Sequence, residues 1–206
     1  MSRVFLLSPA SCRGARAGLL RNPRAGFDLA RRLRTPPGAP LGEVFTFLSG
    51  LYFRGKLGYA RTFADAAGAG SDVLVITPTD GLCRPDMLVD PARLARYAAV
   101  DIDAADARYR EPLERDVAAL AARPGITRFV LLGSVATDKY VAPLVAALGD
   151  RLIFPAAFVG RGDMSRGGLL LRCAAAHEEL DYVAVADTRR HGPRPPRLAP
   201  RKAARS

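Results

Sequence analysis

Histidine and cysteine are scarce in this chain of 206 residues: two of the first, His177 and His191, and three of the second, Cys12, Cys83 and Cys173. With no H-E-x-x-H and no Cys/His cluster, the sequence has no recognisable zinc site, and no metal or cofactor is expected. Three cysteines are an odd number and show no C-x-x-C spacing. That excludes a disulfide framework and points to reduced thiols in a cytoplasmic protein. No G-x-S-x-G elbow is present, so serine-hydrolase chemistry of that type has no carrier. Neither the Walker A spacing nor G-x-G-x-x-G occurs. No run reaches 18 apolar residues, so no membrane-spanning helix and no membrane partner are expected. The N-terminal Val4-Phe5-Leu6-Leu7 run is too short for a signal core, and Pro9 stands where a lipobox takes an aliphatic residue. It reads as a buried first strand.

What is abundant is arginine, unevenly placed. The chain carries a net charge of +11. Residues 1–34 hold eight arginines against Asp28, and residues 189–206 hold six arginines and Lys202 with no acid. Residues 35–188 are slightly acidic, with 16 basic and 19 acidic side chains. The basicity therefore belongs to the two ends. Such ends read as solvated tails or as surfaces for a polyanion, with nucleic acid the candidate partner.

Short apolar runs alternate with helix-length segments. Strands are expected at Val4–Leu7, Asp72–Thr77, Thr127–Leu132 and Arg151–Phe158, with a closing strand at Tyr182–Ala186 and a brief one at Ala98–Ile102. Helices are expected at Ala25–Leu33, Leu41–Ala67, Ala92–Tyr97, Ala107–Ala122, Val141–Leu148 and Met164–Leu180. Gly50, Gly55 and Gly58 weaken the long helix and mark either a break or a close backbone approach. This alternation predicts an α/β fold, a three-layer α/β/α sandwich with a mostly parallel central sheet, over a single domain of residues 1–186. Residues 187–206, rich in Pro and Arg, are expected to be an extended or disordered basic tail.

Ligands of such sheets bind outside the carboxyl ends of the strands. Those ends carry Ser8-Pro9-Ala10-Ser11, Thr77-Pro78-Thr79-Asp80, Gly133-Ser134-Val135-Ala136-Thr137 and Gly160-Arg161-Gly162-Asp163, all small, hydroxylated or charged. The stretch from Gly160 to Arg172 is the most specific. Glycine lets backbone N–H groups face a ligand, a helix N-terminus adds orphan donors, and arginine adds a phosphate-matching fork. Two readings stand: an anion-binding corner, or a glycine turn whose arginines pair with carboxylates. The first places Arg161, Ser165, Arg166, Gly167, Gly168 and Arg172 at a phosphate, with Ser8, Arg13, Thr77, Gly133, Ser134 and Lys139 completing the pocket. Asp163 is the first candidate general base, ahead of Asp80 and Asp86, and Lys139 the other catalytic candidate. Ser134 and Thr137 also read as helix N-caps. In Ser49–Arg61, Tyr52, Arg54, Lys56, Tyr59 and Arg61 interleave. They suit base stacking with phosphate contact, or a core helix with a charged outer face. Cys12, in a basic loop, is either an activated thiol or a buried one.

The order of these loops resembles the α/β domain of the uracil-DNA-glycosylase-like superfamily, found also in archaeal tRNA-guanine transglycosylases. The likeness covers about residues 3–175. The strand ending in Ser8-Pro9 stands where those enzymes have their first active-site loop. Leu131-Leu132-Gly133-Ser134 is similar to their mid-chain strand and loop. Phe154-Pro155 with Arg161–Gly168 is similar to their late His-Pro-Ser loop, glycine turn and helix. The first loop lacks the water-activating Asp, and Phe154 replaces the late His. The resemblance implies the fold; function must come from the site. The expected ligand is a nucleotide, nucleoside or nucleic-acid phosphate, bound with or without hydrolysis or transfer at a glycosidic or phosphate bond. The alternative is a noncatalytic RNA- or DNA-binding or protein-interaction protein that uses its Arg-rich ends.

Overall fold

The structure, a computed structural model, describes residues 2–66, 72–186, 188–196 and 198. The chain opens with β1 (Ser2–Leu7), α1 (Ala15–Arg21), α2 (Asp28–Arg34), β2 (Ala39–Pro40), α3 (Leu41–Ser49) and α4 (Leu51–Ala66). It continues through β3 (Asp72–Ile76), β4 (Leu82–Cys83), β5 (Leu88–Val89), α5 (Pro91–Ala99) and α6 (Ala107–Ala121). β6 (Ile126–Leu132), α7 (Asp138–Leu148), β7 (Leu152–Pro155), α8 (Asp163–Ala176) and β8 (Tyr182–Ala184) complete it.

The central sheet runs β4-β3-β1-β6-β7-β8. β3, β1, β6 and β7 are mutually parallel; β4 and β8 close the edges antiparallel. Val4 to Leu7 and Phe129 to Leu132 have no exposure at all. This is the signature of strands covered on both faces, and it explains why they read as unbroken apolar runs. β1 pairs with β3 through Phe5 and Val73, and with β6 through Phe5 and Val130. β1 therefore sits at the centre although it comes first. Its chain departs toward β3, whereas β6 departs toward β7. Between these two strand ends lies the crevice where such sheets hold their ligands. α4 packs on β1, β3 and α8, and α6 packs on α7. Crossovers of the usual right hand, leaving β1 and β6 in opposite directions along the sheet, place the two pairs on opposite faces.

The expected helix over Leu41–Ala67 is two helices. The break falls at Gly50, whose φ is 61°, not further along. Arg16 fills the corner, its Nη1 donating to the Phe47 carbonyl at 3.1 Å. The expected strand at Ala98–Ile102 is absent, because α5 runs on to Ala99 and Val100 ends it extended. Asp90 and Asp106 cap α5 and α6, each side chain accepting from an N–H of the first turn.

α4 and α8 cross backbone to backbone. A Cβ on Gly55 would lie 2.6 Å from the Gly167 carbonyl oxygen, and one on Gly167 would lie 2.7 Å from the Leu51 oxygen. Gly58, one turn along α4, would meet only Leu171 Cδ2, at 3.8 Å. Overpacking typically costs about 1–3 kcal/mol, more than the gain of about 1 kcal/mol from replacing a helical glycine. Gly55→Ala should therefore lower the melting temperature by several degrees, whereas Gly58→Ala should leave it unchanged or raise it. Thermal melts of both variants check this; equal effects would deny the crossing its steric role.

Candidate functional site

Lys56 follows Gly55 on α4, and the helical period puts it on the apolar stripe with Tyr52, Phe53, Tyr59 and Phe63. Its side chain is wholly buried. It runs under the end of β1, where Nζ donates to the Ser8 carbonyl at 2.6 Å and to Ser8 Oγ at 2.8 Å. Its remaining face looks at the rings of Tyr52 and Phe53, 4.5 and 4.8 Å away. No carboxylate lies within hydrogen-bonding distance of it among the described residues. Burial therefore lowers its pKa from 10.5 to about 7, with the Asp163 carboxylate opposing the shift and the Arg166 guanidinium adding to it.

Arg166, which precedes Gly167 on α8, is the second buried cation, 5% exposed. Its Nε and Nη2 donate to the Phe158 carbonyl at 3.3 and 3.2 Å. Nη1 lies 3.4 Å from Asp163, whose side chain is 64% exposed at the mouth of the site. Tyr52 is 6% exposed, and among the described residues its hydroxyl has no acceptor within hydrogen-bonding reach. Burial raises its pKa, and the guanidinium of Arg166 opposes that. Arginine only donates, so the Tyr52 O–H proton is left without an acceptor. Tyr140 of α7 stands beside Ser8; burial raises its pKa, and hydrogen bonding with Ser8 and the Ser134 backbone partly offsets this.

Above these groups opens a cleft of about 920 Å³. One wall is the loop after β1, Ser8 to Arg13. A second is formed by Ser134, Thr137, Lys139 and Tyr140, and a third by Tyr97 with residues 100–103; Asp163 and Tyr52 also face it. Arg13 ties two walls together, with its Nε donating to the Ala98 carbonyl at 2.6 Å and Nη1 2.6 Å from Asp101. α7 and α8 both start at this cleft, and neither N-cap residue, Thr137 or Gly162, supplies a side-chain cap. Their first N–H groups are left for other acceptors.

Of the residues singled out in the sequence, Ser8, Arg13, Ser134, Lys139 and Asp163 meet in this cleft. Arg166 lies behind it. Tyr52, Thr137 and Cys12 also line it; the remaining residues placed at a phosphate do not. Arg161 turns onto its own loop, donating to the Ala157 carbonyl at 2.9 Å and to Ser165 Oγ at 3.2 Å. Gly167 serves the helix crossing. Gly168 faces Leu198, and Gly133 makes room for Ser8 and Tyr140, whose atoms a Cβ would meet at 2.9 and 3.1 Å. Thr77 organises the β3–β4 turn, its hydroxyl donating to Gly81 and accepting from the Asp80 N–H. Arg172 lies farther along α8. Asp80 is held by Tyr97 and Arg93, and Asp86 pairs with Arg84. The Cys12 thiol is buried, which pushes its pKa up to about 12 against the pull of Arg21. All three cysteines are free.

Lys56 and Tyr52 belong to the interleaved stretch Ser49–Arg61, but the sequence reading does not foresee that the Lys56 amine is buried against Ser8. The signal was the helical period, since a lysine in register with Tyr52, Tyr59 and Phe63 must either be buried or break the stripe. Among the described residues, no three His, Cys, Asp or Glu side chains gather to hold a metal, and no helix is long and apolar enough to cross a membrane. Comparison with protein-family models, curated proteins and solved structures finds no match in any of the three.

The buried amine sets a pH dependence. Between pH 7 and 10.5 the unfolded chain holds a proton on Lys56 that the folded chain lacks. Unfolding takes up that proton, so this residue's contribution to stability rises as the pH rises through the window. Lys56→Met removes the titrating group and leaves a chain of similar shape. The wild type should therefore gain stability relative to Lys56→Met from pH 7 to 9, by on the order of a few kcal/mol. Urea melts of both proteins at three pH values measure it; parallel pH profiles would mean that Lys56 keeps its proton.

Proposed function

We propose that the cleft binds a nucleotide or a related phosphate-bearing nucleoside ligand. The observation that carries this reading is the convergence of the uncapped starts of α7 and α8 on one cavity, with Lys139 and Arg13 at its walls and Lys56 and Arg166 beneath. Orphan N–H groups and the positive ends of two helices favour an anion at the rim. Tyr52, Tyr97 and Tyr140 offer aromatic surface to the rest of the ligand. The volume suits a molecule of nucleotide size. The loops after β1, β6 and β7 bound the cleft. They are the ones that carry the resemblance to uracil-DNA-glycosylase-like domains, a kinship that remains a proposal.

The rival reading, polyanion binding by the Arg-rich ends, has less support at the N-terminal end. Arg3 pairs with Glu179, Arg13 with Asp101, and Arg32 with Asp28 and Glu43. Arg16 and Arg34 donate to backbone carbonyls. These arginines hold the fold's own surface together. At the other end Arg190 pairs with Asp138 at 2.6 Å; the part of the basic tail at 199–206 lies outside the described residues.

A charge-assisted hydrogen bond contributes about 1.5–3 kcal/mol, and 1.4 kcal/mol is about tenfold in affinity. Nucleoside mono-, di- and triphosphates should raise the melting temperature of the wild type. Lys139→Ala should weaken binding about tenfold or more, and Arg161→Ala, whose guanidinium serves its own turn, should not. Titration calorimetry with the same panel gives the constants. A panel without any stabilising member would sink the reading, and a loss of affinity in Arg161→Ala would return the phosphate to the glycine loop.

A further inference from the structure

We propose that Ser8 is a nucleophile with Lys56 as its base, and that the floor of the cleft cleaves a neutral carboxylic ester. The geometry is that of a two-residue relay. Ser8 stands at the end of the central strand and faces the cleft, and the Lys56 amine lies 2.8 Å behind its Oγ. The bond from Nζ to the Ser8 carbonyl at 2.6 Å fixes the amine in place. In the neutral amine one N–H keeps that bond while the lone pair accepts the Ser8 hydroxyl proton across the same 2.8 Å. Ser8 Oγ is the only side-chain hydrogen-bond partner of Lys56 among the described residues. The amine is buried against Tyr52 and Phe53, and the charged groups nearest it, Arg166 and Asp163 of α8, pull its proton affinity in opposite directions. Its pKa of about 7 leaves the lone pair free above neutrality. The Tyr52 hydroxyl, buried without an acceptor, and that of Tyr140 are donors for an oxygen that gains charge beside Ser8.

In the step itself, Ser8 Oγ bonds to the acyl carbon while its proton passes to Lys56. The carbonyl π pair moves onto oxygen, forming an oxyanion that the tyrosine hydroxyls receive. When the oxyanion collapses, the C–O bond to the alcohol breaks and the leaving oxygen takes the proton from Lys56. Water then attacks the acyl-serine and gives its proton to the amine, which returns it to Ser8 as the acid departs. No oxidant, reductant or metal enters. The electrophile is neutral for an electrostatic reason: an anionic phosphate against Lys56 would hold the proton on the amine, and a protonated amine has no lone pair to take the Ser8 proton. A phosphate on the ligand therefore belongs at the rim, with the reacting carbonyl on the floor.

A fluorophosphonate and 4-nitrophenyl acetate are neutral probes of this step. The full-length protein should form a single fluorophosphonate adduct, mapped to Ser8 by peptide mass spectrometry, and Ser8→Ala should form none. The wild-type labelling rate should rise about tenfold per pH unit below pH 7 and level off above it. Lys56→Arg, which keeps a cation but cannot give up its proton, and Lys56→Met should each slow labelling at pH 8 by at least a hundredfold. 4-Nitrophenyl acetate should release one equivalent of nitrophenolate in a burst that Ser8→Ala lacks. Absence of an adduct at Ser8 overturns the proposal, as does a labelling rate flat with pH in the wild type, a measurement that needs no variant to fold. Nucleotide stabilisation reads the rim and labelling reads the floor, so either proposal can fail while the other stands.

Discussion

The close crossing of α4 and α8 is the contact on which the site depends. Gly55 and Gly167 let the two helix backbones touch. Lys56 is the next residue on one helix, and Arg166 the preceding residue on the other. The contact that draws the helices together therefore carries both cations into the interior, where Lys56 is wholly buried and Arg166 nearly so. Side chains in place of the two hydrogens would separate the helices and open a route for solvent to the amine. The same crossing sets the start of α8, and with it Asp163, at the mouth of the cleft.

Burying two cations with one largely exposed carboxylate beside them opposes folding. An ionised amine removed from water without a paired charge loses far more than two neutral hydrogen bonds return. Arg166 resolves this with carbonyl bonds and an ion pair; Lys56 resolves it by losing affinity for its proton. A core built for stability alone would hold methionine there. That the cost is concentrated at the carboxyl end of the central strand, beside a serine and two tyrosines, is the pattern of a functional site. The rest of the core, from Val4 to Leu7 and from Phe129 to Leu132, is apolar and fully covered. It supplies the rigidity that holds the site.

The layered α/β architecture was legible because unbroken apolar runs and amphipathic stretches have different periods, and each period admits one kind of element. The loops at the strand ends were legible for the same reason, and five of the residues read from them, Ser8, Arg13, Ser134, Lys139 and Asp163, meet in one cleft. The glycine loop was the exception. Its composition suits an anion, but composition does not say which way a side chain turns. Arg161 turned to its own backbone, where the short turn after β7 leaves the Ala157 carbonyl within reach of its guanidinium. Gly167 was there for a neighbouring helix.

The sequence by itself determined the sheet, its helices and the places where loops gather, because these follow from local period and from the burial of apolar runs. It also determined that α4 carries a lysine in its apolar register. Only the tertiary structure decided what that lysine meets. Ser8 and Lys56 are 48 residues apart, and their meeting depends on β1 lying at the centre of the sheet, on a crossover that lays α4 along it, and on glycines that let α8 close over both. A buried charge takes its properties from what surrounds it in space, and those neighbours come from β1, α4, α7 and α8 at once.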